Sequence, residues 1–174
     1  MSVNRIIAGL ALCAASLAHA QTPATPDGLI RQLSVEVIDT VKSDKAIQAG
    51  DLNKIISLVD SKVMPHVNFQ RMTASAVGRH WRGATPEQQK KLQDEFKTLL
   101  VRTYAGALTQ VKDQSVQLKP LRAAAEDTEV VVRTEIKGKG EPIQLDYRLE
   151  KADAGWRIYD VNVLGVWLVE QYRN

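Results

Sequence analysis

The stretch His80-Trp81-Arg82-Gly83-Ala84-Thr85-Pro86-Glu87-Gln88 opens a long helix around which the rest of the chain can be arranged. Thr85 supplies a capping hydroxyl, Pro86 suits the first helical position, and Gln88 falls three residues after Thr85, the spacing of a capping box. Behind it, Leu92, Phe96, Leu99, Leu100, Thr103, Ala107, Leu108 and Val111 recur at helical spacing. Lys90, Lys91, Asp94, Glu95 and Lys97 take the other side. A helix with one apolar face needs a large surface to cover it.

Three shorter helices are expected upstream. Asp27 precedes Ile30, Leu33, Val37 and Val41, a stripe running towards Ala49 with Gly50 as its stop. Asp51 starts a second helix with Ile55, Leu58, Val59 and Val63 inward, halted near Met64-Pro65. Asn68 caps a third carrying Phe69, Met72 and Val77, and Gly78 ends it.

From Ser115 the hydrophobic period changes to two. Val116 and Leu118 begin a strand that Pro120 marks as an edge or an end. Val130, Val132, Thr134 and Ile136 alternate with Glu129, Val131, Arg133 and Glu135, and Lys137-Gly138-Lys139-Gly140 turns the chain. Ile143, Leu145, Tyr147 and Leu149 then alternate with Gln144, Asp146, Arg148 and Glu150. Within Trp156 to Leu164, Trp156 and Ile158 share a face with Asp160 and Asn162, while Tyr159, Val161 and Val163 share the other with Arg157. A bulge near Asp160 would reconcile them. The pattern predicts an α+β fold, N-terminal helices packed on a curved four-stranded antiparallel sheet.

At 174 residues and 44% hydrophobic, the chain suits one well-filled domain. Residues 1–20 read as a cleavable signal peptide: Asn4-Arg5, then an apolar run from Ile6 to Leu17 too short to span a bilayer, then Ala18-His19-Ala20. Residues 21–26 form a flexible lead-in and 27–174 a single domain. The one cysteine, Cys13, lies in the leader behind Leu12, which is not the small residue a lipid anchor requires. Residues 21–174 therefore offer no disulfide, thiol nucleophile or cysteine-ligated metal. A soluble protein of the periplasm is expected. Removing Arg5 with the leader takes the formal charge of +3 down to about +2, without any polybasic run, so nucleic acid is not an expected partner.

Beyond the leader the histidines are His66 and His80, without zinc-site spacing, and no metal site is expected. No nucleophile elbow, phosphate-binding glycine loop or dinucleotide fingerprint is present. Asp146 or Asp160 would be the general base if the chain were a cone-fold enzyme acting on a small apolar substrate. Their plainer reading is a wet-face Asp146 and a bulge or turn-bonding Asp160. The large side chains Phe69, Met72, Trp81, Phe96, Leu100, Leu145, Tyr147, Tyr159 and Trp167 fit either an apolar cavity or the filled core of a non-catalytic envelope adaptor.

From Leu29 to Arg173 the chain resembles the MlaC family, also called the toluene-tolerance family. The resemblance is carried by Pro65-His66-Val67-Asn68-Phe69 and Met72, by Gly78 with Trp81, and by Ala84-Thr85-Pro86-Glu87-Gln88 with Phe96, Leu100 and Tyr104. Gly155-Trp156, Tyr159-Asp160-Val161, Gly165-Val166-Trp167-Leu168-Val169 and Tyr172-Arg173 complete it. It implies a cone related to nuclear-transport-factor-like folds, whose apolar pocket swallows the acyl chains of a diacyl phospholipid. The lining assigned to that pocket is Phe69, Met72, Trp81, Phe96, Leu100, Tyr104, Val132, Leu145, Tyr147, Tyr159, Val161 and Trp167. The resemblance also implies a carrier with no catalytic residues and no cofactor. It would shuttle lipid between an outer-membrane lipoprotein–porin complex and an inner-membrane ABC transporter with its substrate-binding ring, maintaining outer-membrane lipid asymmetry. A monomer is expected. Arg79, Arg82, Lys90 and Lys91 flank the start of the long helix and are the expected docking side chains for a negatively charged partner. Family members usually continue past the Tyr-Arg position, so the chain is expected to be truncated at its C-terminal helical end.

Overall fold

A computed structural model describes residues 25–173; the expected leader, at residues 1–20, lies outside them. Helix α1 spans Pro26–Ser43 and is capped two residues earlier than Asp27 suggested, by the Thr25 hydroxyl accepting from the Gly28 amide at 3.2 Å. The stripe does not continue unbroken to Ala49. Asp44 leaves the helical region, and its Oδ1 accepts the amides of Ala46 and Ile47 to open a separate short helix, α2, Lys45–Gln48. Gly50, at φ 86°, turns the chain where expected. Helix α3, Leu52–Leu58, is capped by Asp51 and widens into a π-helical turn, Val59–Val63, before a 3-10 turn at Met64–His66.

Helix α4, Phe69–Val77, starts at Asn68, whose Oδ1 accepts the Arg71 amide, and ends at Gly78 as expected. A 3-10 turn, Gly78–Gly83, leads to α5, Pro86–Leu108. Both bonds of the capping box form: the Gln88 amide donates to the Thr85 hydroxyl at 3.3 Å, and the Thr85 amide donates to the Gln88 side chain at 2.9 Å.

The sheet has five antiparallel strands in sequential order: β1 Ser115–Leu118, β2 Glu129–Lys137, β3 Ile143–Ala152, β4 Gly155–Val163 and β5 Val166–Trp167. The expected count was four. The fifth is a two-residue strand that pairs with Asn162 and Val163 after a turn in which Leu164 and Gly165 both hold positive φ, at 52° and 90°. Such a turn matches strand twist. Helix α6, Leu168–Tyr172, follows at once. The bulge predicted near Asp160 is present. Arg148 pairs with Asp160 and Leu149 with Ile158, leaving Tyr159 as the extra residue. Ile158 and Val161 therefore both face inward, while Asp160 and Asn162 fall on the outer face.

Three apolar clusters hold these layers together. Leu29, Ile30 and Leu33 of α1 pack on Val130, Val132, Leu149 and Ile158 of the sheet. Val41, Ile47, Ile55, Leu58 and Val101 join the first three helices to α5. Phe69, Met72, Leu168 and Val169 join α4 to α6. Each fully buried aliphatic side chain contributes about 1.5–3 kcal/mol against exposure. Val37 packs against the first two clusters and Val67 and Val161 against the first and third, and the space these side chains border is the site.

Candidate functional site

Between the helices and the inner face of the sheet lies a cavity of about 320 Å³, inside the range of about 300–1,000 Å³ usual for small-molecule sites. Helix α1 lines it with Ile30, Leu33, Val37, Ile38 and Val41, and the turns after α3 add Val59, Val63, Met64 and Val67. Phe69 and Met72 come from α4, Leu100, Val101 and Leu108 from α5, and Leu168 from α6. The sheet supplies Val116, Ile136, Leu145, Tyr147, Ile158 and Val161. Polar groups are few: Ser34, Lys97, Gln114 and the Tyr147 hydroxyl, and no acid lines the cavity.

The Tyr147 side chain is half-buried beside Ser34 and Thr134, and burial pushes its hydroxyl pKa up to about 12. Thr134, itself wholly buried, spends its hydroxyl on the Leu145 carbonyl at 2.7 Å. The inner face is thus dry, with its polar atoms paired locally.

Helix α4 is pinned so that Phe69 and Met72 face this space. The Asn68 amide donates to the Ile158 carbonyl at 2.8 Å, and Asn68 Nδ2 to Glu150 at 2.6 Å. Arg71 donates to Glu150 and to Glu129, the latter at 2.7 Å, and its guanidinium lies 3.6 Å from the Tyr159 ring centroid. The hydrogen bond from Arg71 holds the Glu129 carboxyl below its ordinary range.

Of the twelve side chains assigned to the pocket from sequence, Phe69, Met72, Leu100, Leu145, Tyr147 and Val161 line the cavity. The other six lie elsewhere. Tyr159 is the bulged residue and sits on the outer face under Arg71, donating to Glu129 at 3.0 Å. Trp167 is also outside, with Arg148 over its ring at 3.9 Å. Trp81 belongs to the 3-10 turn and borders an outer groove with Arg71, Arg79, Arg82 and Arg173. Phe96 stacks on Phe69 at 5.7 Å and meets Tyr172 edge-on at 5.4 Å, so it buttresses the wall from behind. Tyr104 packs against the same cluster, and Val132 is sealed in the core beneath α1.

Helix α5 is rotated relative to the expected stripe. Leu99 is 46% exposed, and Thr103 and Ala107 face solvent, whereas Lys97, Leu100, Val101 and Leu108 turn inward. The α1 stripe was visible in the sequence yet was not assigned to the pocket. Val59 and Val63 were read as inward from their helical spacing but not assigned to the pocket; they sit in the π turn, and Val67 follows the 3-10 turn in extended conformation, where no period applies.

Neither acid considered for catalysis reaches the cavity. Asp146 is no wet-face residue, at 5% exposed. It sits on the outer face opposite Arg133 and Asn162; one carboxylate oxygen accepts from Gln144 at 2.8 Å and the other, buried, has no partner among the described residues. Asp160, 1% exposed, accepts the amides of Val161 and Val169 and an Arg148 donor at 3.0 Å. Burial pushes its carboxyl up against the pull of those three donors. Among the described residues no group of three His, Cys, Asp or Glu could hold a metal ion.

A helical layer over an antiparallel sheet, with a greasy cavity between them and its acids on the far face, defines a binding protein for an apolar ligand. A profile of the family described as MlaC protein matches residues 31–174, and the chain belongs to that family. It is 23% identical over 150 residues to the intermembrane phospholipid transport system binding protein MlaC of Haemophilus influenzae, covering 84% of this chain and 70% of that protein. To the toluene tolerance protein ttg2D of Pseudomonas putida it is 24% identical over 151 residues, covering 86% and 70%. Among solved structures, a phospholipid-binding protein from Ralstonia solanacearum, in complex with a phospholipid, is 50% identical. It superposes with a TM-score of 0.80 over 82% of this chain and 80% of that one.

Proposed function

We propose that this protein is a phospholipid carrier of the periplasm, binding the acyl chains of a diacyl lipid in the cavity and performing no chemistry on them. The observation that carries this reading is the lining: aliphatic and aromatic residues from all three clusters meet around one space, with no acid among them. The family and the lipid-bound Ralstonia relative support it. Burying one methylene is worth about 0.8 kcal/mol, so a sixteen-carbon chain is worth on the order of 12 kcal/mol against water. Such a chain does not cross an aqueous gap alone. Against a bilayer the cavity offers a similar environment, so exchange is close to thermoneutral and direction comes from partners.

The partners proposed are an outer-membrane lipoprotein–porin complex and an inner-membrane ABC transporter with its substrate-binding ring. Arg79, Arg82, Lys90 and Lys91 are all exposed at the start of α5 and are the proposed docking cations. Lys90 is paired with Asp94 at 2.6 Å.

Mass spectrometry of gently purified protein tests the carrier. One diacyl phospholipid per chain is expected. A folded protein that neither retains lipid nor takes it up from vesicles would overturn the reading.

A further inference from the structure

The cavity has one charged side chain in its lining, Lys97. It shares the lining with Leu100 and Val101, three and four residues on in α5, while its side chain is 25% exposed and reaches Asp60 with Nζ 2.7 Å from Oδ1. Asp60 is 45% exposed. The ammonium therefore stands where the greasy lining meets water, as a long cationic side chain does when its stem is buried and its head is not. The rim there is the π-helical turn Val59–Val63, which supplies Val59 and Val63 to the lining and carries Asp60 between them. Lys62 of the same turn pairs with Glu36 of α1 at 3.7 Å, so ion pairs tie the turn to helices on both sides. π turns recur at functional sites because they re-aim side chains without ending the helix.

We propose that Lys97 is the headgroup residue of this site: its ammonium binds the phosphate of a diacyl glycerophospholipid, taking it in exchange for Asp60. This rests on the carrier reading. The other polar lining groups do not fit the task. Gln114 spends its side chain on its own loop, donating to the Gln110 carbonyl and accepting the Lys112 amide. Ser34 and the Tyr147 hydroxyl sit together in the interior and carry no charge. Lys97 and Asp60 form a single partly exposed pair, which holds weakly, so an incoming phosphate displaces the carboxylate at little cost. A lysine head is a compact point charge that accepts a new partner without a fixed geometry. With acyl chains in the cavity, the lipid phosphate is delivered to the rim at high local concentration.

The test uses delipidated protein with two probes sharing the same chains, dioctanoyl phosphatidylglycerol and dioctanoylglycerol, and compares wild type, Lys97→Met and Asp60→Asn. Lys97→Met keeps the stem and removes the charge. It is expected to weaken phosphatidylglycerol about fivefold, the worth of one partly exposed ion pair, and to move dioctanoylglycerol less than about twofold. Asp60→Asn, which removes the competing carboxylate, is expected to tighten phosphatidylglycerol and leave dioctanoylglycerol alone. Equal weakening of both probes by Lys97→Met, or no change in either, would overturn the assignment while leaving the carrier intact. Failure of wild type to bind either probe would overturn the carrier reading and this one with it. Displacement of phosphatidylglycerol by millimolar inorganic phosphate would also overturn it, because the rim would then hold free anion instead of lipid. Should Lys97→Met not fold, Lys97→Gln and Asp60→Asn carry the same comparison.

Discussion

Asp160 Oδ1 accepts the backbone amide of Val169 at 3.1 Å, and this bond holds α6 against β4. The same oxygen accepts the Val161 amide at 2.9 Å, and Oδ2 takes Arg148 at 3.0 Å. Arg148 continues to Glu170 and covers the Trp167 ring. One buried carboxylate thus closes the bulge, orders the last helix, and through it sets Leu168 in the cavity wall. Asp160→Asn keeps an acceptor for the amides but turns a neutral group towards Arg148. A loss of about 1–3 kcal/mol in unfolding free energy is expected, with lipid content per chain unchanged, since Asn keeps the acceptor for the Val161 and Val169 amides that sets Leu168. Denaturant midpoints and lipid analysis of the same preparation check both halves. Asp146→Asn, also on the outer face, is likewise expected to leave lipid transfer intact.

Leu145 tests the cavity directly. It lies on the inner face of β3 opposite Thr134 and Val163 and lines the space. Leu145→Trp puts a ring where acyl chains would lie. The melting temperature of the delipidated protein should hold or rise, and bound lipid per chain should fall. In a filled core the same substitution costs about 1–3 kcal/mol by overpacking. A lower melting temperature with normal lipid content would show that this face is packed.

Tyr147 makes an alkaline prediction. Its hydroxyl titrates at about 12 in the folded protein, against 10.0 for an ordinary tyrosine. The folded state holds this proton more tightly than the unfolded state does. The associated stability is fully present below pH 10 and is lost as pH rises from there through about 12. The loss amounts to roughly 2–3 kcal/mol. Between pH 9 and pH 11.5, short of the full loss, urea unfolding should show wild type declining by about 2 kcal/mol more than Tyr147→Phe, a comparison that cancels the contributions of the other tyrosines.

Reversing Lys90 and Lys91 to Glu tests the docking surface. Steering by exposed charges is a long-range effect that salt suppresses, with a Debye length of about 10 Å at 0.1 M. Lipid transfer to acceptor membranes bearing the partner complexes should slow at low salt and approach wild type at high salt, at constant melting temperature. An unchanged low-salt rate would remove these two lysines from the interface.

Much of the architecture is legible along the chain because local signals and tertiary packing agree. Thr85 and Gln88 announce the start of α5, Asn68 and Gly78 bracket α4, and the alternation through Leu145, Tyr147 and Leu149 marks the inner face of β3. Even the bulge was foreshadowed, since Ile158 and Val161 cannot share a face of an unbroken strand. The short strand β5 left almost no periodic signal, because two residues have no period.

What the sequence determined by itself is the set of elements, their caps and the presence of more apolar surface than one flat layer can cover. Helical spacing needs only neighbours within a turn, and strand alternation only neighbours two residues apart. Which of those apolar residues face a cavity, and which fill the core or the outer face, was decided by tertiary structure alone. Tyr159 and Trp167 look like lining until the bulge and the last turn carry them outside to meet Arg71 and Arg148. Lys97 counts as polar in any periodicity, yet its stem lies in the cavity wall and its head stands at the rim, because a four-carbon chain can serve two environments that a single hydropathy value averages away.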